Sequence, residues 1–269
     1  MDYKADLELA LKLADIADGI SLERFYSQDL VVETKPDATP VTDADRSVEA
    51  ALKEVLKAER PEDSLIGEEY GSTGENLHGK GSRTWIIDPI DGTANFMRGV
   101  PVWATLIALA VDGKPVVGVV SAPAMGRRWW AAPGVGAHTK HIDGRTAELQ
   151  VSKISDLEHA SLSYNSLKLW DEIGMLEPLM QLTRKVWRTR AYGDFWAYML
   201  LAEGTLEITS EHNLAIYDIA ALVPIVEKAG GRITDLHGEL TTSSSSVLAT
   251  NSVLHSTVSE LLNHPNVKN

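Results

Sequence analysis

The run Asp88-Pro89-Ile90-Asp91-Gly92-Thr93 puts two carboxylates three positions apart, directly before a glycine and a hydroxyl. The residues ahead of it, Trp85-Ile86-Ile87, are apolar and read as the end of a buried strand. Carboxylates on one tight turn suit a hard divalent cation, which takes oxygen ligands. Backbone N–H groups at a new helix start suit a phosphate. A metal and a phosphate at one turn point to phosphoryl chemistry. Three more segments place acids beside element ends: Asp43-Ala44-Asp45, Glu68-Glu69 and Asp218. Gathering that many carboxylates in one cleft costs several kcal/mol per ion unless cations compensate. Magnesium compensates and prefers carboxylate and water oxygens. Taken singly, each acid also has a plain structural role, as a helix cap or a solvated loop charge.

The elements that must position these acids follow from periodicity. Leu7, Ala10, Leu11, Ala14 and Ala17 mark an amphipathic helix over 3–26. An extended stretch over 29–41 leads to Thr42, the expected N-cap of a second helix. A strand over 64–67 ends at Glu68, and 71–82 reads as a polar loop. Strand signals crowd at 84–87, 102–111, 115–121 and 127–132, with a hairpin turn at Gly113-Lys114. Beyond residue 150 strands alternate with helices, the latter expected at 172–185, 194–203, 217–229 and 255–263. The change of pattern places a seam between residues 1–148 and 149–269, with no flexible linker.

Composition bounds the chemistry. The chain has 269 residues, a net charge of −13 and no cysteine. The charge argues against nucleic acid and anionic membrane as partners. Without thiols, any metal must be oxygen-ligated, and a cysteine nucleophile is excluded. The acid-rich N-terminus resembles neither a signal nor a transit peptide, so a cytoplasmic setting is expected. Haloacid-dehalogenase phosphatases carry a similar Asp-x-Asp-Gly-Thr with a covalent aspartate. Here an extra residue separates the acids, which turns the first one another way.

Glu68 in Gly-Glu-Glu, the block Trp85 to Phe96, and Asp218 followed by Ala229-Gly230-Gly231 together resemble the inositol monophosphatase family of magnesium-dependent, lithium-sensitive phosphatases. The resemblance implies a layered αβαβα sugar-phosphatase fold, α/β in class, and a homodimer. It implies two to three Mg²⁺ ions. Glu68, Asp88 and the Ile90 carbonyl would hold one, and Asp88, Asp91 and Asp218 a second, with Glu68 assisting a third. Asp45 and Thr93 would position and activate the attacking water, and the Gly92 and Thr93 N–H groups would face the phosphate. Glu211 would contact the alcohol. No histidine nucleophile is needed, so His78, His138, His141, His159, His212, His237, His255 and His264 read as surface or structural residues.

Substrate choice points to the second half. Arg188 to Trp196 includes Arg190 and Tyr192-Gly193-Asp194. Inositol monophosphatases usually carry a small neutral residue where Asp194 stands. An acid there, beside Glu211, suits a cationic alcohol such as histidinol. Asp194 has rival roles as a helix N-cap or an Arg190 ion-pair partner. Together with Arg98 to Ala104 and Ser121 to Trp130, these residues resemble the actinobacterial histidinol-phosphatase branch, which serves histidine biosynthesis. Ala94 departs from the lysine those relatives often carry, and His212-Asn213 is unusual. An inositol-1-phosphatase of broad specificity is the alternative. A non-catalytic cation-binding scaffold would be expected to have lost one of the acids, and none is missing.

Overall fold

A computed structural model describes residues 2–36, 39–74 and 79–263. Part of the loop expected over 71–82, with His78, lies outside the described residues, as does His264.

The first helix, Lys4–Phe25, buries Leu7, Ala10, Leu13, Ala14 and Ala17 along one stripe. Its centre is Leu13 rather than Leu11, which stays half-exposed. The second helix, Asp43–Glu59, is capped as its sequence predicts. Thr42 Oγ1 accepts from the Ala44 N–H at 3.2 Å, and the Asp45 carboxylate returns the contact to Thr42 N–H at 2.8 Å. Both helices pack on one face of an eight-stranded sheet.

That sheet runs in the order 146–148, 136–140, 127–132, 114–122, 104–111, 83–91, 64–67, 71–73. Only the pairing of 64–67 with 83–91 is parallel. The two strands after 132 were not legible as apolar runs, because Gly136–Lys140 is polar and Thr146–Glu148 is fully exposed. The hairpin turn falls at Asp112-Gly113, one residue earlier than expected. Both have positive φ, 52° and 75°, and that conformation matches the twist of the flanking strands.

Helices Asp194–Ala202 and Leu222–Lys228 cover the other face and separate it from a second sheet. This five-stranded sheet runs 188–189, 161–164, 208–212, 246–250, 232–234. Leu176–Thr183 and His255–Asn263 form the outermost helical layer. The five layers are therefore helix, sheet, helix, sheet, helix, as the sequence led us to expect. The helix expected over 172–185 is two, Leu167–Glu172 and Leu176–Thr183, interrupted at Gly174. The helix expected over 217–229 divides into Ile216–Ile219 and Leu222–Lys228. One apolar cluster runs from Ile86 in the first sheet to Ala249 in the second, with Trp129 and Phe195 at its centre. Trp129 is a core residue, fully buried.

Candidate active site

Parallel pairing sets Gly67 opposite Ile87, so the next residue on each strand is a carboxylate, Glu68 beside Asp88. On the other edge Asp88 faces Leu106 while Asp91 faces Ala104. Three steps along one strand meet two on its neighbour, which is a β-bulge. Residues three apart on a regular strand point to opposite faces. The extra residue brings Asp91 back to the side of Asp88. Pro89 suits the bulge because it has no N–H to leave unpaired. Its carbonyl accepts from Thr105 Oγ1 at 2.8 Å, and Ile90 N–H donates to Asp88 Oδ1 at 2.9 Å. The expected turn after Ile87 is thus corrected: the acids ride on the bulged end of the strand, which continues to Asp91. The chain reverses only at Gly92, where φ is +86°. A Cβ there would lie 3.0 Å from Val102 O and 3.2 Å from Asp194 Oδ2.

Asp218 arrives from the second half. It follows the strand Ile208–His212 and sits on the short helix Ile216–Ile219, which packs on strand Arg83–Asp91. Its Oδ2 accepts from Ala215 N–H at 2.6 Å. Carboxylate oxygens of Asp88, Asp91 and Asp218 lie within 4.8 Å of one another. Burial, then mutual repulsion, raises Asp88 and Asp91 far above the usual carboxylate range. Burial first, against the Ala215 N–H, pushes Asp218 up to about 6. The ion pairs among the described residues include none to these three acids. An oxygen-only set of mutually repelling carboxylates, with Asp88 buried and the other two half-buried, fits a hard divalent cation.

Glu68 lines the same lobe, of about 400 Å³, together with Ile90, Gly92, Thr93, Ala94 and Asp194. Its carboxylate is held by Lys35 Nζ at 2.6 Å, and the same ammonium reaches Glu69 at 2.5 Å. Lys35 escaped the sequence reading because it lies 33 residues from Glu68, the acid it holds. Asp45 serves two structures at once. One oxygen closes the helix cap, and the other accepts from Thr93 Oγ1 at 3.3 Å. Burial is the main cause that pushes Asp45 up to about 6.

A second lobe of about 410 Å³ opens beyond Asp91 and Asp218. It lies where the parallel strands Ser161–Tyr164 and Ile208–His212 end, the usual side for ligands on such sheets. Asp194 and Glu211 line it with Asn165, Tyr198 and His212. Glu211 is fully buried, and burial followed by Asp194's charge pushes it up to about 8. Tyr198 OH donates to one of its oxygens at 3.2 Å. Its other oxygen, Asn165 Oδ1 and His212 Nε2 are buried without a hydrogen-bond partner among the described residues. Asp194 is neither the N-cap, which is Gly193, nor an ion-pair partner of Arg190. Its Oδ2 accepts from Asn95 Nδ2 at 2.9 Å, and its φ is +49°. Arg190 lines neither lobe: it is exposed and its Nη1 turns back to Thr189 O at 2.7 Å. The cause is its place just past the edge strand Arg188–Thr189. His212 packs its ring edge-on against Trp170. Asn165 and Tyr198 carry no motif and emerge only from the packing, whereas Asn95 belongs to the Trp85 to Phe96 block and only its contact with Asp194 comes from the fold.

The family model described as the inositol monophosphatase family matches residues 2–265. The chain belongs to the inositol monophosphatase family. Within it, the chain is 51% identical to a histidinol-phosphatase of Mycobacterium tuberculosis, over 96% of this chain and 98% of that one. It is 50% identical to a histidinol-phosphatase of Streptomyces coelicolor, over 98% of each. An inositol monophosphatase structure from Zymomonas mobilis superposes with a TM-score of 0.84 at 33% identity, covering 98% of this chain and 99% of that chain. No helix among the described residues is long and apolar enough to cross a membrane.

Proposed function

We propose that this family member hydrolyses L-histidinol phosphate to L-histidinol and inorganic phosphate. The observation that carries the hydrolysis is the cluster of Asp88, Asp91 and Asp218 within 4.8 Å. These acids, with Glu68 and the Ile90 carbonyl, would hold two or three Mg²⁺ ions. Bound there, the ions would offset charge on the phosphate and acidify the attacking water. The chain's own groups do the rest. Thr93 Oγ1 has a single proton, with the Ile90 carbonyl at 3.0 Å and the Asp45 carboxylate at 3.3 Å as its acceptors, which leaves its lone pairs to accept from a water. Asp45, titrating at about 6, is ionised at neutral pH and takes up the proton that the water loses. The Gly92 and Thr93 N–H groups orient the phosphate. No covalent enzyme intermediate is needed.

The second lobe supports the choice of alcohol. A buried glutamate with one oxygen unpartnered among the described residues, next to the half-buried Asp194, is costly to ionise unless a cation joins them. The ammonium of histidinol supplies that charge, and its imidazole offers further hydrogen-bond groups. A neutral polyol brings no charge to oppose that of the two carboxylates. The histidinol-phosphatase relatives at 50–51% identity support the same choice. Paired kcat/KM values for L-histidinol phosphate and inositol 1-phosphate test it: histidinol phosphate is expected to be preferred by orders of magnitude. A preference for inositol phosphate returns the protein to the alternative. A cytoplasmic homodimer acting in histidine biosynthesis completes the proposal, and sedimentation of the purified protein checks the dimer.

A further inference from the structure

We propose that Glu49 is a positioning residue that fixes the Glu68 loop in a metal-competent conformation, from the same helix face that carries Asp45. Glu49 lies four residues after Asp45 on Asp43–Glu59, so both project one turn apart on one face. Both are fully buried, at 0% exposure. Asp45 reaches the Thr93 hydroxyl. Glu49 reaches the other loop: Oε2 accepts from Glu69 N–H at 2.7 Å and Oε1 from Tyr70 N–H at 3.0 Å. One carboxylate therefore takes two successive backbone donors directly after Glu68. The fit leaves no spare room. A Cβ added at Gly67 would lie 1.9 Å from Glu49 Oε1 and 2.4 Å from its carboxyl carbon. Gly67 is thus glycine because the Glu49 carboxyl occupies that space.

An interior carboxylate with no ion-pair partner among the described residues is expensive: burial raises the Glu49 carboxyl, the two backbone donors oppose the rise, and the charges of Glu69 and Glu68 add to it. An apolar residue would fill the same volume without that cost. What it would not supply is two acceptors for the 69–70 backbone. The helix then acts as a template. Two acids one turn apart hold the Glu68 loop and the Thr93 loop at a set separation across the cleft.

The inference rests on Glu68 being a metal ligand, so the test carries a separate arm for that. Mg²⁺ is titrated calorimetrically into purified wild type, Glu49→Gln, Glu68→Gln and the exposed control Glu54→Gln. Glu49→Gln keeps the shape but offers an NH₂ where an N–H needs an acceptor. It is expected to weaken Mg²⁺ binding about 10–100-fold, the usual effect of losing a group that orients a ligand. KM for the ester at saturating Mg²⁺ should stay within about twofold, and Glu54→Gln should match wild type. Amide hydrogen exchange should rise at Glu69 and Tyr70 in Glu49→Gln before it rises elsewhere. Weaker binding in Glu68→Gln with none in Glu49→Gln overturns the clamp. Unchanged binding in Glu68→Gln removes the ligand the clamp would aim, and fails the metal assignment itself. If Glu49→Gln does not fold, wild type decides: fast exchange at both amides in metal-free protein overturns the inference, and protection supports it.

Discussion

The two lobes of the cleft spend buried carboxylates in opposite ways. In the first, Asp88, Asp91 and Asp218 crowd within 4.8 Å, and each is anchored by a backbone N–H: Ile90, Phe195 and Ala215. Their directions are set before any ligand arrives. In the second, Glu211 has one Tyr198 hydroxyl for company and one oxygen with no partner among the described residues. Its environment raises it so far, to about 8, that the lobe without a ligand favours the neutral acid at pH 7. The contrast separates two tasks. In the proposed reading, the dense, anchored cluster provides the same chemistry to any phosphate ester. The sparser pair, with one Glu211 oxygen open, chooses the alcohol.

That contrast breaks most visibly in the first lobe. Asp91→Asn should lower kcat/KM on the order of 10²–10³-fold for every ester, since a carboxylate that would hold a phosphate-facing cation is lost. Asp45→Asn should cost about 10²-fold or more in kcat, with KM nearly unchanged, because it removes a proton acceptor rather than a contact. The same group predicts that kcat/KM at saturating Mg²⁺ falls as pH drops through about 6. In the second lobe the expected effect is smaller and selective. Glu211→Gln should cost roughly 1.5–3 kcal/mol on the cationic ester alone, the range for hydrogen bonds to charged groups. Equal losses for histidinol phosphate and inositol phosphate would erase the distinction between the lobes.

The smallest effect concerns stability. Glu211 at about 8, and Asp45 and Asp218 at about 6, are raised above their unfolded values. The folded chain therefore holds protons that the unfolded chain has released. Stability from these groups is complete below the unfolded carboxyl range and is lost as pH rises to about 8. In EDTA, Tm should be lower at pH 8.5 than at pH 5.5 by at least a few degrees, each kcal/mol being worth about 2–4 °C in a chain of this size. Added Mg²⁺ should raise Tm more at the higher pH. A metal-free Tm that climbs with pH would contradict the burial of these acids.

The first lobe was readable in the sequence because strand pairing keeps its acids next to short, dense motifs. Asp88, Asp91 and Glu68 announce themselves by neighbours: an apolar strand, a proline, a glycine. Their geometry was less readable. A turn was expected where a bulge stands, since nothing local distinguishes three extended residues from three turning ones until the register with Leu106 and Ala104 is known. The second lobe was half-readable. Asp194 stood out as an acid where the family usually has a small neutral residue, and Glu211 by its match to a family position, but Asn165 and Tyr198 look like any asparagine or tyrosine and are drawn in by sheet order. Arg190 failed for the converse reason. Its sequence neighbours line the lobe, while its own side chain folds back along the edge strand. His212 turns out to sit against Trp170, and its unpartnered nitrogen explains nothing about catalysis on its own.

The bulge at Asp88–Asp91 makes the site depend on one surplus residue, not on composition alone. Removing Pro89 would leave every carboxylate in the chain, and the net charge untouched. Two steps would then meet two across the ladder, so both aspartates would still share a face. What the deletion takes away is the surplus itself: the carbonyl that meets Thr105 and the spacing that lets Ile90 N–H hold Asp88. The surplus residue thus aims the first acid, while the buried Ile90 side chain ties the same stretch to Phe96 and Trp103.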